Sequence, residues 1–194
     1  MDPTAIAASL CCTLLCVALM VVAVLAVGFF LFRSGKPKID GRQIKDESDP
    51  LRAWSQVAIR LYSNQIDDPG YWPKAKATQH LQTWSIDDVA GLEELLDDFA
   101  GDRTGFDIAR RIWLARVGFA QGYVGEGRSW QVAKESQETA QRRFNSWAEY
   151  AQDVSQGLVA WHERQGIDLS EKDKKWLSEL GMLVGQAENQ VPFR

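Results

Sequence analysis

Beyond position 16 the chain has no cysteine. Its three, Cys11, Cys12 and Cys16, share one apolar run, so the rest of the chain holds neither a disulfide framework nor a Cys-based zinc site. The three read as small apolar side chains facing lipid or another helix, with acylation or redox sensing as the functional reading. Histidine is almost as scarce. His80 and His162 are the two, far apart and without a second ligand at helical spacing, and no metal centre is predicted. The acids Asp97, Asp98 and Asp102 do not match the alternating loop of a calcium hand. A basic excess is missing too: the formal net charge is -4, and a nucleic-acid binder needs a basic face. Neither phosphate-binding glycine pattern nor Gly-x-Ser-x-Gly occurs. No cofactor is expected and no catalytic residue is assigned. Sustained apolar-polar alternation and Asn-Gly hairpin turns are absent as well, which argues against strands.

What the chain has first is an uncharged run from Ala5 to Phe32. Its 28 residues would make a helix of about 42 Å, long enough to cross a bilayer with some tilt. A cleaved signal peptide would show basic residues before a shorter run. Here Asp2 is the one charged side chain ahead of it. Positive charge follows instead: Arg33, Lys36, Lys38, Arg42 and Lys45 stand against Asp40. The positive-inside rule then predicts a single-pass anchor at 5–32, with residues 1–4 outside and the remainder in the cytoplasm, on the inner membrane if the organism is a bacterium. Membrane lipid is the partner of 5–32. Residues 33–49 read as a basic linker able to lie against anionic headgroups.

Residues 50–194 are enough for one domain with a real core. All eight Trp fall here, and aromatic residues bring much apolar area. Apolar residues recur at 3-4 spacing from Pro50 to Gln65, with Leu51, Trp54, Val57, Ala58 and Leu61 on one face. Asp67-Asp68-Pro69-Gly70 stops that helix, and a short one follows over Lys74 to Thr83. Four capping boxes are predicted, at Ser85/Asp88, Thr104/Asp107, Ser146/Glu149 and Ser170/Asp173. Each precedes an apolar stripe: Val89, Leu92, Leu95, Leu96 and Phe99; then Ile108, Ile112, Ala115 and Phe119; then Trp147, Ala151, Val154, Leu158 and Trp161; then Trp176, Leu177, Leu180 and Leu183. A more polar helix is expected from Arg128 to Phe144, with Trp130, Ala133, Ala140 and Phe144 inward. Gly101, the stretch Gly122 to Gly127 and Gly166 supply breaks, and Gly118, Gly122, Gly125 and Gly127 are spaced like a flexible connection. The predicted fold is all-α: an N-terminal transmembrane helix and then a compact, Trp-rich bundle of six to seven helices. Trp113, Phe144, Trp147 and Trp161 are placed in its core. Gly157, mid-helix, costs about 1 kcal/mol relative to Ala and implies a close helix-helix contact.

Two constellations bear on function. Eight acids lie between Asp87 and Asp107 against Arg103 as the lone base. They read as a solvated helix face, or as a surface for a basic partner through Glu94 and Asp98, since such a face affects association rates. Asp107 and Arg110 are neighbours at i, i+3. They read as a cap with its partner, or as a carboxylate-guanidinium pair shaping a ligand pocket.

From Asp107 to Trp161 the chain resembles a bacterial domain of unknown function, the twelve-sixty-six family, which includes YbeR-like and YbeU-like proteins. The residues that carry the resemblance are Phe106, Asp107, Arg110, Gly118, Gly122, Tyr123 and Trp130, then Gln141, Phe144, Ser146, Trp147, Glu149, Tyr150, Gly157 and Trp161. Phe106 stands where the family has Trp. Trp84, Ile86 and Arg103 extend the family-like core to 84–161. The resemblance implies an all-helical bacterial domain and no activity. The expectation for function is a membrane-anchored interaction or regulatory module that binds another protein, an immunity-type protein being one form of it. The alternative is an enzyme or small-ligand receptor with a pocket around Asp107 and Arg110.

Overall fold

The computed structural model describes residues 49–63, 67–101 and 103–194. The expected anchor at 5–32 and all of the linker but Asp49 lie outside them. No helix of the described residues is long and apolar enough to cross a membrane. They form seven α-helices and one 3-10 turn, with no strand among them. The order is α1 (Pro50–Ser63), the turn Pro69–Tyr71, α2 (Lys74–Gln82), α3 (Val89–Asp98), α4 (Gly105–Gln121), α5 (Glu126–Arg143), α6 (Trp147–Gln165) and α7 (Glu171–Gln190).

The ends follow from local hydrogen bonding. Asp49, read as linker, starts α1: its carboxylate accepts from the Leu51 and Arg52 N–H groups at 2.9 and 3.2 Å. Thr104 caps α4 by accepting from Asp107 N–H, and Ser146 caps α6 by accepting from Glu149 N–H. The reciprocal box is complete at Ser170, whose backbone N–H donates to Asp173. The box expected at Ser85 is not formed. Asp88 caps α3 instead, accepting from Gly91 N–H at 2.8 Å. Ser85 closes the preceding helix, at φ +56°, with Ile86 N–H bonded to Leu81 O and Ser85 N–H to Gln82 O. That is the Schellman closure of a helix end, and the same pair of bonds recurs at Gly122 and Gly166. The glycines from 118 to 127 are therefore not one flexible connection. Gly118 lies inside α4, Gly122 ends it and Gly125 precedes α5.

α4 is the axis of the fold. It packs against α1, the 3-10 turn, α2, α3, α5 and α6. The predicted one-sided stripe is too narrow: every residue from Ile108 to Gly118 is buried. A helix surrounded by neighbours has no solvent face to leave polar, which explains its shallow amphipathic pattern. α6 meets it closely at Gly157, where a Cβ would run into the Phe106 ring and Cβ. In the other stripes Leu92, Leu96, Val154, Leu158, Trp176 and Leu183 are buried as the spacing predicted, while Val89 is exposed.

Trp54, Trp147, Tyr150 and Phe193 form the aromatic heart, with Trp54–Trp147 and Trp147–Phe193 ring centroids 5.0 Å apart. Backbone carbonyls of the final segment complete it. Trp54 Nε1 donates to Phe193 O at 3.2 Å and Trp147 Nε1 to Val191 O at 2.8 Å. Tethering both indole N–H groups satisfies donors that would otherwise be costly to bury.

Candidate functional site

α4 carries three buried arginines, Arg110, Arg111 and Arg116. Burying a guanidinium is costly without a carboxylate and further acceptors. All three have a carboxylate, and Arg111 and Arg116 have further acceptors, whereas Arg110 Nε has no hydrogen-bond partner. Arg116 is 1% exposed and Asp68 is 3% exposed. The pair is bidentate: Nε donates to Asp68 Oδ1 at 2.9 Å and Nη2 to Oδ2 at 2.8 Å. Nη1 reaches Ser129 Oγ at 3.3 Å, and the guanidinium carbon sits 3.8 Å from the Trp130 ring centroid. Asp68 also caps the 3-10 turn by accepting from Gly70 N–H at 2.8 Å. Gly70 is needed there, because a Cβ would fall 2.5 Å from the Arg116 guanidinium carbon.

Arg111 spans three elements. It donates to Leu96 O at the end of α3 at 2.9 Å, and to Glu135 and Ser136 on α5 at 2.8 and 3.4 Å. Arg110 pairs with Asp107 and lies against the rings of Phe106 and Phe99, at 4.3 and 4.4 Å, with Trp84 at 5.5 Å. Burial pushes the Asp107 carboxyl up, but the bonds from Arg110 and Thr104 outweigh it and hold the group below the ordinary carboxylate range. Asp107 thus serves the Thr104 cap and the Arg110 pair together, and both of its roles are internal to the fold.

Beside this wall opens a cleft of about 250 Å³. It is lined by Tyr62 of α1, His80 of α2, Trp84, Trp113 of α4, Leu158 of α6, and Lys172, Asp173 and Trp176 of α7. Trp84 is shared with the Arg110 cage, and Tyr62 meets Phe106 and Trp113 edge-on at 5.5 and 6.4 Å. Burial pushes the Tyr62 phenol up to about 12, so near neutral pH it donates hydrogen bonds and does not act as a base. His80 stacks on Trp72 at 4.7 Å. Burial first, then Lys76 and Lys172, pull its pKa below the ordinary histidine value, which keeps the imidazole neutral at pH 7. The indole N–H groups of Trp113 and Trp176 are buried without a hydrogen-bond partner.

The other expected positions are dispersed. Glu94 and Asp98 are exposed on α3 and make no ion pair among the described residues, whereas Glu93 pairs with Arg128 at 2.7 Å. Trp113, Phe144 and Trp147 are buried. Trp161 is half-buried, its ring edge-on to His162 at 4.9 Å. No cluster of three metal-ligating side chains occurs among the described residues. Sequence reasoning missed Asp68, Arg116, Tyr62, His80 and Phe193. Asp68 was legible as a turn residue, but nothing local ties it to Arg116, 48 positions away.

Neither the curated proteins nor the solved structures hold a match to this chain. The model of a family of proteins of unknown function (DUF1266) matches residues 39–189. The chain belongs to that family, and its family domain is an all-helical bundle.

Proposed function

We propose that this family member is a membrane-tethered recognition module that binds another protein, in a regulatory or immunity-type role. One observation carries the reading. The buried arginines Arg110, Arg111 and Arg116 are each matched to a carboxylate, while Glu94 and Asp98 stand exposed and unpaired among the described residues on α3. α3 buries Leu92 and Leu96, so its outer side presents those acids on a rigid support. An acidic face of this kind draws a basic partner by long-range attraction and weakens as salt rises. The uncharged run 5–32 followed by basic residues supports tethering, with the helical domain on the cytoplasmic side of a bacterial inner membrane.

The test is co-purification of the full chain from gently solubilised native membranes. A near-stoichiometric basic partner that is lost from Glu94→Lys/Asp98→Lys, and that rebinds the wild-type chain once purified, supports the module. A clean preparation, or a partner indifferent to the charge reversal, overturns it. Topology is read separately by attaching a compartment-sensitive reporter after Arg194.

A further inference from the structure

α7 carries two mid-helix glycines for which its own fold shows no use. Glycine is the poorest helix former after proline, and in α4 and α6 it stands where another element comes close. A Cβ on Gly118 would meet Leu92 of α3, and one on Gly157 would meet Phe106 of α4. By contrast, nothing lies within 4 Å of a Cβ placed on Gly181 or Gly185. α7 packs against α6 and α1, and its buried residues are Trp176, Leu183 and Ala187. The two glycines lie on another side, in a stripe that recurs at alternating four- and three-residue steps: Lys174, Ser178, Gly181, Gly185 and Glu188. On its flanks Leu177 and Val184 are only partly buried, and Met182 is 58% exposed. Lys174 and Glu188, at the two ends of the stripe, are both exposed. Lys174 holds the exposed Glu171 at 2.7 Å, and Glu188 makes no ion pair among the described residues.

We propose that this face of α7 is where two copies of the chain associate, their α7 helices lying antiparallel across a twofold axis at Gly181. Charge chooses that arrangement. Lys174 and Glu188 stand seven residues to either side of Gly181. Antiparallel helices therefore set each Lys174 beside the partner's Glu188, whereas parallel ones would set like charges together. A face that carries both halves of its own ion pair is complementary to itself, as a twofold interface requires. The same register seats Leu177 over the partner's Gly185, where the missing side chain leaves room. Glycine lets the two backbones come closer than the roughly 8–10 Å of ordinary helix packing. Both glycines then gain the close neighbour that Gly118 and Gly157 already have. The face is separate from the tether and from Glu94 and Asp98, and it stands if that reading fails.

The experiment is sedimentation equilibrium of the full chain in density-matched detergent. The expected result is a dimer that dissociates on dilution. Gly181→Leu/Gly185→Leu places side chains in open space, so the fold stays intact, checked by circular dichroism. It should weaken the dimer at least about tenfold. Lys174→Glu and Glu188→Lys each turn two attractive pairs repulsive, and each should weaken it by about tenfold. The double swap Lys174→Glu/Glu188→Lys should restore it, which an interface elsewhere would not produce. A chain that is monomeric up to about 100 μM overturns the proposal, and a monomer destabilised by the two leucines assigns the face to the rest of its own chain. A dimer as tight with both leucines in place is held by other residues, the run 5–32 included, and overturns it too. So do single reversals that the swap fails to rescue, because Lys174 would then not face Glu188.

Discussion

Arg116 shows how one side chain organises its surroundings. It binds Asp68 through two nitrogens, lies under Trp130 and occupies the space a Cβ on Gly70 would need. Replacing it with Met leaves Asp68 as a buried, uncompensated charge and should cost about 3–5 kcal/mol. Replacing both members, Arg116→Met with Asp68→Leu, should recover much of that loss, because an apolar pair avoids the desolvation penalty. Urea denaturation of the single and double variants measures the difference. If the double variant is no better than Arg116→Met, the ion pair is not the reason for the cost. Gly157→Ala is the second case. Alanine gains about 1 kcal/mol of helix propensity, but its methyl group meets Phe106, and overpacking costs about 1–3 kcal/mol. Net destabilisation is expected, and relief of it by Phe106→Leu in the same melts would locate the clash. Asp107 links stability to pH. Its folded pKa lies below the unfolded value of 3.8, so its contribution is present above that pH and is lost as pH falls through the folded value. Asp107→Asn should therefore flatten the acid limb of a stability-pH curve below about pH 4 and leave the alkaline limb unchanged.

Among the elements, the helix ends separate signals that look alike in the sequence. Four Ser/Thr-x-x-acid stretches carry the capping-box pattern. Three start helices, and the fourth, at Ser85, ends one. Ser170→Ala should cost about 1 kcal/mol, the usual value of a cap. Ser85→Gly should stabilise by about 1 kcal/mol, since a side chain in the left-handed region is strained and glycine is not. Thermal melts of the two variants should move in opposite directions; a loss in Ser85→Gly would mean that its hydroxyl, not its backbone, holds the turn. The reason for the misreading is physical. A capping pattern specifies which bonds a hydroxyl and an acid can make, but Asp88 one step before α3 makes the same bond to Gly91 N–H without help. The three starts were legible because their acceptors are local. α4 was legible as a helix and not as the axis, because its spacing shows one apolar stripe and nothing local says that the other faces, which carry Arg110, Arg111 and Arg116, are covered as well.

For the whole molecule, closure depends on residues far apart in the chain. Phe193 packs on Trp54, Trp147 and Tyr150 and its carbonyl accepts from Trp54 Nε1 and Gln141 Nε2. Removing Val191–Arg194 takes away a buried aromatic ring and the acceptors of two indole N–H groups. The loss should be at least the roughly 3–5 kcal/mol of a Phe→Ala change in a core, visible as a lower urea midpoint. A truncated chain as stable as the full one would show that this segment merely covers the aromatic cluster.

What the sequence by itself determined is whatever depends on near neighbours: helical periodicity, most helix starts, the Asp107–Arg110 pair at i, i+3, the close contact at Gly157, and membership of a helical family through ordered Trp, Gly and Asp positions. Hydrogen bonds and side-chain pairs within one turn are written in spacing, so they could be read there. Only the tertiary structure decided that α4 is central, that Asp68 neutralises Arg116, that Phe193 seals the aromatic heart, and that Tyr62, His80, Lys172 and Trp176 share one cleft with Trp113. Those arrangements depend on which faces meet after the chain has folded back on itself. Their partners lie tens of residues apart, and no local pattern encodes which of many buried rings and charges will become neighbours.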